Sequence, residues 1–191
     1  MSIFGKLFNK GEKKKDEKAE QKPERITMKT SLGTFYYING NPEEIGYEGE
    51  LNWYDIPEDP EKRDRYQPAG CYFDTETPDT TDGSLCYEKL AGIFADRYMT
   101  DTRVKLDVIS HFGAEEGLFI PGYDRFFSKD ELMDDLKICF ISVYRDGRIV
   151  YSLDQHYLLR DERGAGTDIH VTYEENGNVL FQGDREFYKF L

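Results

Sequence analysis

Two Asp-x-His units in the last third of the chain hold residue types that could bind a metal ion. Asp154 and His156 form the first unit, and Asp168 and His170 form the second. Imidazole nitrogens and carboxylate oxygens are ligands of Zn²⁺ and similar divalent ions, and such an ion can activate a bound water for hydrolysis. The four side chains are therefore a candidate metal site, and a metal-dependent hydrolase is one functional hypothesis.

The two units lie in segments whose pattern predicts neighbouring strands. Residues 149–157 and 167–173 both carry apolar side chains at alternate positions, as strands with one buried face do. Matching the buried faces of an antiparallel pair places Leu153 opposite Val171, because a slip of one residue would move the apolar set into water. We therefore expect the polar side chains of both units on the opposite face.

This register gives each carboxylate a histidine neighbour. It sets Asp154 opposite His170, and it sets His156 opposite Asp168. Opposed Cβ atoms lie about 4.5–5.5 Å apart, so each aspartate can bond its histidine. A two-residue turn in the preceding hairpin adds Cys139 beside Asp154, which separates thiol from imidazole and disfavours a Cys-His nucleophile. Two cross-strand Asp-His pairs, each contributing about 0.2–1 kcal/mol, explain the pattern without a ligand and are the favoured interpretation.

The charge of the chain restricts the class of partner. The 191 residues carry a formal charge of −13, but residues 1–25 hold eight Lys or Arg and five Asp or Glu, so residues 26–191 carry −16. An acidic body repels phosphate and favours a basic protein partner over nucleic acid. The three cysteines form no C-x-x-C pair, which predicts a reduced, cytoplasmic protein. The oligomeric state stays open.

The composition divides the chain into a tail and one globular domain. Residues 1–25 are predicted to be a flexible basic tail, because residues 11–25 have almost no apolar side chain to bury. Residues 1–10 carry a short apolar stripe formed by Ile3, Phe4, Leu7 and Phe8. This amphipathic start could contact a membrane surface, although a frayed terminus is favoured because two helical turns bury little area. Residues 26–191 are predicted to form a single domain, with no membrane-spanning run or signal peptide.

The order of predicted elements is strands, helices, strands. Alternating segments before residue 77 predict an antiparallel meander. Helix signals follow: Asp101 is a candidate cap of a second helix, and Ser128 with Glu131 has the spacing of a capping box. Strands joined by Asp-Gly and Asn-Gly turns close the chain. We expect an α+β fold, with an antiparallel sheet and helices packed on one of its faces.

Five segments of the chain, within about residues 30–184, share their layout with a known family. They are LGTFYYI at 32–38, YEGELNW at 47–53, the central helical segment, the capped helix and strand at 127–147, and GTDIHVTYEENGNVLFQG at 166–183. Together they resemble the bacterial domain of unknown function 2262. In that family a Gly-His pair precedes the apolar residue of the late strand; here Thr167 and Asp168 precede Ile169. The family has no established activity, so the resemblance implies a fold and leaves function open.

The functional expectation from the sequence is a non-enzymatic binding protein. The sequence contains no G-x-S-x-G, H-E-x-x-H, phosphate-binding loop or dinucleotide fingerprint. Small, acidic α+β character also gives a loose likeness to immunity proteins of bacterial toxin systems, which is analogy alone. We expect an acidic surface that recognises a basic protein, with the metal-dependent hydrolase as the alternative. No cofactor other than a divalent metal is suggested.

Overall fold

One eight-stranded sheet organises the computed structural model, which describes residues 26–41, 44–63, 66–77, 84–158 and 168–182. The strands of this sheet are β1 (Thr27–Thr30), β2 (Gly33–Asn41), β3 (Glu44–Leu51), β4 (Ala69–Asp74), β7 (Lys137–Val143), β8 (Ile149–Asp154), β9 (Ile169–Tyr173) and β10 (Val179–Gln182). A separate hairpin consists of β5 (Leu118–Ile120) and β6 (Arg125–Phe127). The helices in these ranges are α1 (Pro60–Arg63), α2 (Ser84–Ala95), α3 (Arg97–His111) and α4 (Lys129–Asp135). The predicted tail, residues 1–25, lies outside the described residues.

The sheet contains one parallel pair among antiparallel neighbours. The strand order is β1-β2-β3-β4-β7-β8-β9-β10, and only β4 and β7 run parallel. A parallel pair needs a long crossover connection, and α2, α3 and α4 lie in the segment that joins these two strands. The predicted α+β fold, with strands before and after the helices, is confirmed.

The helices bury one face of the sheet. On this face Phe35 of β2 meets Phe73 of β4, with ring centroids 5.2 Å apart, and Tyr87 of α2 packs against both rings. The largest fully buried side chains are Trp53, Tyr47, Tyr151, Phe35, Phe73 and Phe127. Burying one large apolar side chain contributes about 1.5–3 kcal/mol. This aromatic layer between sheet and helices therefore contributes substantially to stability, together with the buried aliphatic side chains of the same core.

The opposite side of the sheet, called the open face here, carries a different mixture of side chains. One row runs across all eight strands and consists of Thr27, Tyr36, Glu48, Tyr72, Ser142, Val150, Thr172 and Leu180. The outer members are the most accessible, since Tyr36 is 40% and Leu180 is 45% exposed. The two central members are buried: Tyr72 is 5% and Ser142 is 8% exposed.

The break between the two long helices differs from the sequence prediction. Asp96 separates α2 from α3, so α3 begins at Arg97, four residues before Asp101, the predicted cap. The capping box of α4 is confirmed: the Glu131 backbone N–H donates to Ser128 Oγ at 3.2 Å, and the Ser128 backbone N–H donates to the Glu131 carboxylate at 2.9 Å. Asp101 therefore acts inside a helix.

Candidate functional site

Strands β8 and β9 are adjacent and antiparallel, as predicted, but the predicted register is wrong by two residues. Tyr151 lies opposite Val171, where the prediction placed Leu153. Ser152 lies opposite His170. A shift of two residues keeps the same side chains on the buried face, so matching apolar positions does not distinguish these registers. The Asp-His pairs predicted from the sequence are not formed.

His170 lies on the open face, half-buried, and bonds to a serine. Its Nδ1 is 2.8 Å from Ser152 Oγ, and Gln182 of β10 lies opposite it on the other side. A serine next to a histidine can act as a nucleophile. However, Ser152 is only 9% exposed, so its hydroxyl is not presented to a substrate. The pair joins two strands of the sheet.

The other three predicted ligands are exposed and lie at strand ends. Asp154 is the last residue of β8 and lies opposite Lys137 of β7. His156 lies beyond the strand, where its backbone N–H donates to Asp135 Oδ2 at 2.8 Å. Asp168 immediately precedes β9. Within the described ranges, no hydrogen bond or ion pair joins either aspartate to either histidine.

Cys139 does not stand in the predicted row with Asp154 and His170. A β-bulge at Cys139 shifts the register of β7 against β8, and the thiol donates to the Ser152 backbone oxygen at 3.3 Å. Burial, followed by the negative charges of Asp168 and Asp154, raises the pKa of the thiol. Because the thiolate is the form that attacks or binds metal, Cys139 is unsuited to either role at neutral pH.

The described residues do not assemble a metal centre. Among them, no group of three or more His, Cys, Asp or Glu side chains is placed to hold an ion. A structural zinc site needs four such ligands, and a catalytic site needs three and an open position. The hydrolase hypothesis therefore lacks supporting geometry in the described part of the chain.

A different part of the open face forms a groove with functional potential. Tyr36 of β2 lies directly opposite Glu48 of β3, and Glu50 follows on the same face. Both carboxylates are exposed. The groove has a volume of about 580 Å³ and is lined by Thr34, Tyr36, Tyr37, Ile38, Glu48, Gly49 and Glu50. We call it the acidic groove. It combines an aromatic ring, an aliphatic side chain and two negative charges.

The local sequence explains why the two carboxylates point outward. In YEGEL at 47–51 the first and last side chains are buried, whereas Glu48 and Glu50 are exposed. Gly49 lies against the ring of Phe35, and a Cβ at this position would stand 2.5 Å from Phe35 Cδ1. The strand therefore needs glycine between the two glutamates. The alternation of the sequence indicates that the two glutamates point outward. It does not indicate which residue lies opposite them, because that depends on the register of β2 and β3.

A second polar cluster lies inside the molecule and holds elements together. Asp101 Oδ1 accepts from Tyr54 at 2.8 Å and from Trp53 Nε1 at 3.3 Å, and Asp101 Oδ2 pairs with Lys105 Nζ at 2.8 Å. Tyr54 in turn accepts from the Ile138 backbone N–H at 2.8 Å. Burial and then the charge of Asp101 raise the pKa of Tyr54. The cluster joins the end of β3 to α3 and β7 and is structural.

Comparison of the chain with protein-family models, curated proteins and solved structures found no match. The resemblance to domain of unknown function 2262 therefore stays a prediction. Within the described ranges, no helix is both long and apolar enough to cross a bilayer. The geometry and charge of the acidic groove are therefore the features of the described residues that indicate a function.

Proposed function

We propose that the protein is a binding protein whose acidic groove docks a basic segment of a partner protein. The observation that carries this proposal is the cross-strand placement of Tyr36 beside Glu48, with Glu50 on the same face. The pairing of β2 with β3 brings an aromatic ring and two carboxylates into one open groove. A lysine or arginine side chain has the chemistry that complements all three groups.

Each part of the groove would contact a different part of a basic side chain. The face of Tyr36, which is 40% exposed, offers a cation–π contact of about 0.5–1 kcal/mol at such a site. Glu48 and Glu50 offer charge-assisted hydrogen bonds to an ammonium or guanidinium group. Ile38 supplies apolar surface for the aliphatic stem, which long cationic side chains bury readily. The groove thus suits arginine or lysine within an extended segment.

The charge of the whole domain supports the same partner class. Residues 26–191 carry −16, and a field of this sign attracts a basic protein and accelerates its encounter. Acidity alone also serves solubility, so the groove supplies the specificity that the net charge lacks. A small basic toxin is the form of partner that the likeness to immunity proteins suggests.

The proposal is tested by titrating the full-length protein with a hexa-arginine peptide and following backbone amide shifts by NMR. We expect saturable shifts at residues 34–38 and 46–50. The double variant Glu48→Gln and Glu50→Gln should weaken binding about 2- to 30-fold, since each exposed ion pair contributes roughly 0.2–1 kcal/mol. Salt should weaken the interaction further.

A matched double variant distinguishes binding in the groove from a general effect of the net charge. Glu88 on α2 and Glu175 in the turn before β10 are both exposed and lie outside the groove. Replacing these two by Gln changes the net charge by the same amount and should leave the affinity nearly unchanged. Equal weakening by both double variants, with shifts spread over the whole surface, would reject the groove as the binding site.

A further inference from the structure

We propose that the chain's own basic segment, residues 13–25, occupies the acidic groove until a partner displaces it. This inference rests on the proposed function of the groove and adds its regulation. The segment would act as a tethered competitor, so that only a partner richer in positive charge, or present at high concentration, gains the site. Three observations support this occupant over others.

The first observation is where the chain enters the sheet. The Tyr37 backbone N–H donates to the Ile26 backbone oxygen at 2.9 Å, and Thr27 lies opposite Tyr36. Both tyrosines line the groove. Arg25 is the residue before Ile26, so the basic segment is anchored directly at the border of the groove.

The second observation is charge complementarity. The segment holds six Lys or Arg and four Asp or Glu, a net charge of +2, and its most basic part is the run of three lysines at 13–15. The groove presents the two exposed carboxylates of β3. Lys29 of β1 lies opposite Thr34 at the margin of the groove. One cation at the margin leaves the carboxylate pair with a net negative charge, which the segment can neutralise.

The third observation is reach. A chain spans at most about 3.3–3.6 Å per residue, so the lysines at 13–15 can extend up to about 40–47 Å from Ile26, and Lys22 can extend about 14 Å. All of these side chains can therefore return to a groove that borders the anchor. Tethering by a short linker raises the effective concentration to the millimolar range, which makes even weak charge pairing significant.

The exposed apolar stripe of α3 is the main competing surface for this occupant. Met99 is 70% and Leu106 is 37% exposed, and Arg103 lies between them on the same helix. This surface pairs one cation with one carboxylate, Asp107, and so has no net negative charge to attract the segment. The acidic groove borders the anchor and carries two carboxylates, so the segment is assigned to the groove.

The contact is tested in the full-length chain by paramagnetic relaxation. A nitroxide is attached at Asp16→Cys in a Cys139→Ser background, because Cys71 and Cys86 are buried whereas Cys139 is only partly buried. We expect line broadening of the amides at 34–38 and 46–50 that is relieved by 0.5 M salt. Reversal of the groove with Glu48→Lys and Glu50→Lys should abolish the broadening, and adding Lys13→Glu, Lys14→Glu and Lys15→Glu should restore it.

Peptide affinity gives a second readout with a matched control. Lys14→Gln with Lys15→Gln should tighten hexa-arginine binding about 3- to 10-fold, because a tethered competitor is weakened. Lys62→Gln with Lys129→Gln changes two exposed or partly exposed body lysines and should have a smaller effect. Peptide binding without groove broadening, or with equal effects of both pairs, would overturn the tethered competitor while leaving the proposed function intact. Broadening without peptide binding would support the competitor and reject the basic partner.

Discussion

At the scale of single residues, the Asp101 carboxylate joins α3 to the residues that follow β3 and, through Tyr54, to β7. Its carboxylate accepts from Tyr54 and Trp53 and pairs with Lys105, whose side chain is only 8% exposed. We predict that Asp101→Asn lowers the free energy of unfolding by about 3–5 kcal/mol, because the substitution leaves a buried ammonium without its counter-charge. Urea denaturation monitored by the fluorescence of Trp53 measures this loss.

Two further variants separate burial from pairing as the cause. Arg148 pairs with Asp146 at 2.6 Å, but its side chain is 46% exposed, so Arg148→Met should cost less than about 1 kcal/mol. Adding Lys105→Met to the Asp101 variant should recover part of the loss, since the unpaired buried charge is removed. A loss below about 1 kcal/mol for Asp101→Asn alone would show that water still solvates Lys105.

Removing the hydroxyl group from either of two neighbouring tyrosines should have opposite effects on stability. Tyr173 donates to Asp107 Oδ2 at 2.5 Å, whereas the fully buried Tyr151 hydroxyl has no partner with good hydrogen-bond geometry among the described residues, although Arg103 lies close enough to lower its pKa. We predict that Tyr173→Phe costs about 1–3 kcal/mol and leaves an unsatisfied carboxylate, while Tyr151→Phe is neutral or stabilising. Thermal unfolding of both variants at neutral pH checks this, and similar losses in both would mean that water or Arg103 bonds Tyr151.

The same pair predicts an alkaline dependence. Burial raises the pKa of Tyr151 to about 12, although the Arg103 charge opposes the rise, and burial with Asp107 raises the pKa of Tyr173. A raised pKa in the folded state means that the stabilising contribution is present below the unfolded pKa of about 10 and is lost as the pH rises through the folded pKa. Tyr151→Phe should therefore reduce the slope of stability against pH above about pH 10.

The contacts of Asp101 could not be predicted from the sequence. An aspartate near the start of a helical pattern predicts an N-cap, but its partners Trp53 and Tyr54 lie 48 and 47 residues away in the chain. Local spacing contains no sign of such a contact. The capping box of Ser128 and Glu131, in contrast, uses groups only three residues apart and was predicted correctly.

At the scale of elements, turns and bulges decided the part of the site that was predicted wrongly. The hairpin between β7 and β8 pairs Val143 with Ile149 around a turn whose Gly147 has φ of 89°. The Tyr144 backbone N–H also donates to the Arg148 backbone oxygen, which leaves a loop of three residues, 145–147, where Asp-Gly predicts a two-residue turn. The bulge at Cys139 shifts the register again. Strand existence followed from alternation, but register depended on these local insertions, which alternation does not encode.

The capping box should determine how stably α4 is held in the fold. α4 carries Asp135, which accepts from the backbone N–H groups of His156 and Tyr157 at 2.8 and 3.1 Å. Ser128→Ala removes the acceptor for the Glu131 N–H and should lower stability by about 0.5–2 kcal/mol. Hydrogen exchange should show faster opening in α4 and at residues 156 and 157, with little change in β2 and β3.

A uniform increase in exchange over the whole sheet would contradict this local effect. Ser128→Thr is the control, because it keeps a capping hydroxyl at the same backbone position. It should restore most of the lost stability. Failure of threonine to restore it would indicate that packing around Ser128, rather than its hydroxyl, holds the start of α4.

At the scale of the whole molecule, an uneven charge distribution connects stability with the proposed binding. Residues 26–191 carry −16 and residues 1–25 carry +3. The composition predicted this imbalance completely, since it needs no knowledge of the fold. The location of the acidic groove needed the register of β2 and β3, which brings Tyr36 beside Glu48. Net charge therefore indicates the class of partner, and only the paired strands indicate where it docks.

The same imbalance predicts how salt affects the folded chain. Like charges in the −16 body repel over distances that salt screens, as the Debye length falls from about 30 Å at 0.01 M to about 8 Å at 0.15 M. We predict that the midpoint of thermal unfolding rises over this range of NaCl, because screening relieves repulsion. If the basic segment neutralises part of the body, Lys14→Gln with Lys15→Gln should lower the midpoint at 0.01 M more than Lys62→Gln with Lys129→Gln, and the two should converge at 0.15 M. A midpoint that falls with salt would mean that attractive pairs, led by Asp101 with Lys105, outweigh the repulsion of the body.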